Sequence, residues 1–173
     1  MTPPRTSRSR CAPYARLVRE GVTLLRQINP GGSRNAENCP ETADAANDLL
    51  NSGTLRPVRS ATGVAIFRFP ANLRWTSIGS VAGLTQYANR MANCTHVIVE
   101  GTRPNPQGVT PQHYFVVLKY GGRVWVADAY SAEFVAGVAA YISVETPGNQ
   151  MSTFRVASSA SYDVVIDDPL ADF

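Results

Sequence analysis

Apolar residues recur at Leu17, Val18, Val22, Leu24, Leu25 and Ile28, set between Arg16, Arg19, Glu20, Thr23, Arg26 and Gln27. That spacing predicts an amphipathic helix over residues 14–28. The pattern ends at Asn29-Pro30-Gly31-Gly32, a cluster of helix breakers, and a polar loop from Ser33 to Asn38 leads to Cys39-Pro40. Proline suits the first turn of a helix, where its missing N–H would have had no partner. Pro40 therefore predicts a helix running to about Leu50, with Gly53 as its C-terminal stop. A third helix is expected over about 79–92 from Val81, Leu84, Ala88 and Met91 at helical spacing.

Period-two segments dominate the second half. Strands are expected at 64–69 and 95–100, with two more at 151–157 and 162–166, and a short helix at 132–142. The strongest local signal is His113–Tyr120, then Gly121-Gly122, then Arg123–Asp128, a β-hairpin closed by two glycines. Helices first and strands later predict an α+β domain in which N-terminal helices pack on an antiparallel sheet.

With 173 residues, 44% of them hydrophobic, the chain suits one domain, expected over 13–173. Residues 1–12 read as a flexible lead-in, because they carry no periodic apolar positions. Arg5, Arg8 and Arg10 within it account for the whole net charge of +3, so the domain itself is neutral and nucleic acid is not the expected partner. No apolar run approaches the roughly 20 residues of a membrane span. The lead-in also lacks the apolar stretch of a secretion signal, so any export is expected to use another route. No GxGxxG, P-loop or zinc-ligand spacing occurs, and no cofactor or metal is expected.

Three residues form a chemically coherent set. Cys39 stands at the first turn of its helix, where unpaired N–H groups and the helix dipole favour a thiolate. With Gly121 and Gly122 as the loop, Tyr120 pairs with Arg123, Phe115 opposes Asp128, and His113 becomes a diagonal neighbour of Asp128 on the same face. A carboxylate there would orient His113 and favour its imidazolium form. His96, flanked by Thr95 and Val97 with no acidic neighbour, is expected to be structural; Cys11 and Cys94 are expected to be ordinary thiols. A different class of reading, a protein-interaction module with Cys39 buried and Tyr114 and Trp125 presented to a partner, stays open at this level.

Asn29-Pro30-Gly31-Gly32 through Asn38-Cys39, with His113-Tyr114-Phe115-Val116-Val117, Gly121-Gly122 and Val126-Ala127-Asp128-Ala129, resembles the papain-fold toxin domains at the C-termini of bacterial polymorphic toxins. The resemblance covers about residues 15–131. It implies a papain-like fold and a catalytic triad of Cys39, His113 and Asp128. The activity it implies is deamidation of a glutamine in a target protein, with protease, transglutaminase and acyltransferase chemistry as alternatives on the same machinery. It further implies secretion or delivery into a target cell, and a cognate immunity protein where the victim is bacterial. Two positions depart from the family pattern: Thr42 replaces a second cysteine and Tyr130 replaces a glutamine. Asn35 and Asn38 are the candidate oxyanion donors beside the Cys39 N–H, and Tyr130 the candidate substrate contact.

Overall fold

The computed structural model describes residues 7–32, 38–58, 69, 73–103, 112–144 and 151–159. Three helices, α1 (Ser7–Glu20), α2 (Val22–Ile28) and α3 (Cys39–Ser52), precede β1 (Leu73–Ile78) and α4 (Val81–Asn89). Then follow β2 (Thr95–Thr102), β3 (Gln112–Tyr120), β4 (Arg123–Asp128), β5 (Glu133–Ala136), α5 (Val138–Val144) and β6 (Thr153–Ser159). The six strands form one antiparallel sheet in the order β1-β6-β2-β3-β4-β5, so the protein is α+β as expected.

Side-chain alternation along the strands builds two cores. Val116 and Leu118 of β3 join Leu17, Leu24, Ile28, Ala46 and Leu49 of α1 to α3 on one face. Phe115 and Val117 join Leu84 and Ala88 of α4 and Tyr141 of α5 on the other. The sheet is thus covered on both sides, which is why β2 is buried along nearly its whole length.

The hairpin has the expected register, Tyr120 opposite Arg123. Gly121 and Gly122 have φ of 62° and 73°, the left-handed pair that a two-residue turn needs to match strand twist. Helix α3 begins at Cys39 with Pro40 in its first turn and ends at Gly53, whose φ of 76° brings its N–H onto Leu49 O.

Several expectations are corrected. The helix expected over 14–28 is two helices, because Gly21 adopts φ 52°, ψ −126° between them. The expected lead-in is helical from Ser7, and Cys11 and Cys94 are joined in a disulfide with a Cα–Cα distance of 5.2 Å. That bond, together with burial of Tyr14 and Leu17, anchors a segment whose polar composition suggested no anchor. The helix expected at 132–142 is β5 followed by α5: Glu133–Ala136 finds a partner in β4, and Gly137 at φ 93° makes the break. The expected strand at 64–69, apart from Phe69, and the one at 162–166 lie outside the described residues. β1 was not expected; it pairs with β6, which sits between it and β2.

Candidate active site

The β3–β4 register runs from Tyr120–Arg123 to Val116–Ala127, which places His113 beyond the end of that pairing. On its other side it pairs with Gly101 of β2. At this open end of the sheet an imidazole on the α5 face can meet a group carried by α3 on the opposite face.

His113 Nε2 lies 2.6 Å from Asp128 Oδ2. Cys39 is within hydrogen-bonding reach of the same ring, and with Nε2 committed to the carboxylate, Nδ1 is the nitrogen left to face the thiol. Burial alone would lower the pKa of His113. The bonds to Asp128 and Cys39 and their negative charges outweigh it and push the value up to about 10. Burial likewise opposes ionisation of Asp128, and the His113 and Tyr141 bonds overcome that and hold the carboxyl below its usual range. Both the chain-distant thiol and the hairpin pair expected from sequence are therefore brought together. Cys39 is partly exposed, and it is the free cysteine among the described residues.

Asp128 is fully buried and well partnered. Tyr141 donates its hydroxyl to Oδ2 at 2.5 Å, and the backbone N–H groups of Tyr130 and Ser131 donate to Oδ1 at 3.1 and 3.4 Å. Tyr141 was not foreseen, since nothing in the periodicity of α5 distinguishes its hydroxyl from a core tyrosine. Its ring packs at a tilt of 48° against Phe115, 4.8 Å between centroids, which aims the hydroxyl at the carboxylate.

The remaining candidates separate. Tyr130 sets its ring edge against His113 at 5.6 Å and lies near enough to Cys39 to feel its charge. Asn38 is completely buried, and its Nδ2 donates to Asn29 Oδ1 at 3.1 Å. Its amide, expected from sequence as an oxyanion donor, thus meets Asn29. Asn35 lies outside the described residues. His96 is buried away from the thiol: its Nε2 donates to Asn47 Oδ1 at 2.7 Å, which leaves Nδ1 to accept from the Tyr14 hydroxyl at 2.6 Å.

On the α3 side of the sheet Tyr114 packs against the core beneath α1 to α3. Its hydroxyl donates to Glu100 at 2.5 Å, and Arg155 makes two bonds of 2.8 Å to the same carboxylate. Trp125 stacks on Phe134, with ring centroids 5.2 Å apart. A cleft of about 450 Å³ opens on the Tyr130 side, walled by Arg26, Asn29, Gly31, Gly32 and Ser131. Among the described residues no cluster of His, Cys, Asp and Glu could hold a metal ion, and no helix is long and apolar enough to cross a membrane. No protein-family model, no curated protein and no solved structure matches this chain.

Proposed function

We propose that the chain is a papain-like thiol hydrolase of the toxin type, acting on a glutamine side chain of a target protein through a thioester. The observation that carries the reading is the single imidazole shared by Asp128, at 2.6 Å, and the Cys39 thiol. A buried carboxylate that holds an imidazole within reach of a thiol is the arrangement by which thiol enzymes activate their nucleophile. A cysteine-bearing helix packed on a sheet that presents the histidine is also what a papain-like arrangement requires.

In the proposed reaction Cys39 Sγ attacks the side-chain carboxamide carbon and a C–S bond forms. His113 passes its proton to the amide nitrogen, the C–N bond breaks and ammonia leaves. Water then attacks the thioester, giving a proton to His113 as the thiolate departs, so that glutamine and water become glutamate and ammonia. Asp128 keeps the imidazole oriented and stabilises its charged form throughout. The choice of a primary carboxamide over a peptide bond comes from the family resemblance; the triad serves either. The Cys11–Cys94 disulfide supports a life outside a reducing cytosol, in keeping with export. Where the victim is bacterial, the toxin reading also calls for a cognate immunity protein.

The test is to incubate bacterial and eukaryotic lysates with the wild type and with Cys39→Ser and to read glutamine-to-glutamate conversions by peptide mass spectrometry. Conversions that need Cys39 support the deamidase. New peptide termini without conversions make it a protease, and neither product in any lysate removes the hydrolase reading.

A further inference from the structure

We propose that Asn29 and Asn38 are positioning residues for the thiol, forming a two-amide clamp that sets the start of α3 against the turn carrying Asp128; the inference rests on the thiol-enzyme reading above. Asn29 closes α2, with its backbone N–H on Leu25 O, and Asn38 immediately precedes Cys39. Asn29 Nδ2 donates to the Tyr130 carbonyl at 2.9 Å, and Asn38 Nδ2 donates to Asn29 Oδ1 at 3.1 Å. The direction is dictated: a carbonyl only accepts, so Asn29 must turn its NH₂ to Tyr130, which leaves its oxygen for the amide of Asn38. Tyr130 N–H in turn donates to Asp128 Oδ1, Asp128 holds His113, and His113 meets Cys39. The bonds close a circuit that starts and ends at the nucleophile.

Two observations separate this role from ordinary burial. Asn38 occupies the N-cap of α3, where the asparagine oxygen normally accepts a capping bond, yet its Oδ1 is buried without a partner while its Nδ2 holds Asn29. Both amides are almost wholly shielded, 3% exposed for Asn29 and 0% for Asn38, so the bonds act in a low-dielectric interior. The apolar face of α3 is rich in small residues, Ala43, Ala45 and Ala46, whose packing is non-directional and resists sliding weakly. Directional bonds at its first residue are what hold a sulfur at a set distance from an imidazole.

The experiment is the rate of iodoacetamide alkylation of Cys39 against pH, with thermal melts, in the wild type, His113→Ala, Asn38→Ser and Asn29→Ala. Serine at 38 can still cap the helix and stays neutral, but it is too short to reach Asn29. We expect Asn38→Ser to keep a cooperative melt while its labelling at about pH 6 falls roughly tenfold or more and its pH midpoint rises, the sign of a thiolate–imidazolium pair pulled apart. Should Asn38→Ser fail to fold, Asn29→Ala, which leaves the cap residue in place, carries the same expectation. If both variants label like the wild type while His113→Ala does not, the clamp is overturned and the thiol pair stands. If the wild type labels as slowly as His113→Ala, the pair itself fails and the clamp falls with it.

Discussion

His113 Nε2 and Asp128 Oδ2 lie 2.6 Å apart with the carboxylate sealed from solvent. An Asp128→Asn substitution keeps the shape and removes the charge that sustains the imidazolium. On the proposed thiol-hydrolase reading turnover should fall on the order of 10²–10⁴-fold, and alkylation of Cys39 near neutral pH should slow in parallel. Circular dichroism and alkylation rates check this together; a folded variant that labels at the wild-type rate would detach Asp128 from thiol activation.

The two histidines limit stability from opposite sides of neutrality. His96 is lowered from 6.5 to about 3, by burial first and then by the charge of Arg10. As pH drops below about 6.5 the unfolded chain takes a proton there that the folded chain refuses until about 3, so stability falls through that window. His113 is the reverse case: raised to about 10, it contributes fully below 6.5, and the contribution is lost as pH rises through about 10. A melting-temperature profile should peak near neutrality, each limb sloping by up to about 1.4 kcal/mol per pH unit. His96→Gln should flatten the acid limb above the carboxylate range and His113→Gln the alkaline one. Unchanged limbs in these variants would assign the titration to other groups.

Tyr141→Phe removes a hydroxyl and leaves the ring that packs on Phe115. Losing a buried hydrogen bond to a charged acceptor should cost about 1.5–3 kcal/mol, read in urea unfolding as a lower midpoint with an unchanged slope. A cost near zero would mean that Asp128 does not depend on this donor.

The Cys11–Cys94 disulfide spans a sequence separation of 83 residues. Closing a loop of that size restricts the unfolded chain by about 4.5 kcal/mol in the chain-entropy account. Reduction with dithiothreitol, or a Cys11→Ser/Cys94→Ser pair, should lower the melting temperature by about 9–18 °C. A fall of less than a degree would show that helix α1 is held by its apolar contacts alone.

The chain order of its own residues was enough to determine the local parts. Gly121-Gly122 accept the positive φ values of a tight turn, and from that turn the two-residue period puts His113 and Asp128 on one face by counting. Pro40 and Gly53 bracket α3 because one lacks an N–H and the other lacks a Cβ. These are short-range consequences of covalent geometry. Where Gly21 would break the first helix, which segment would slide in as β6, that Glu133–Ala136 would pair as a strand, and that Cys11 would meet Cys94 were decided only by the fold. Each depends on a partner far along the chain, whose burial must outweigh the entropy of closing the loop between them. The same holds for the site: the hairpin could supply the His113–Asp128 pair, but its meeting with Cys39 and the Tyr141 hydroxyl on Asp128 exist only because helices close on the sheet end from opposite faces, α3 on one and α5 on the other.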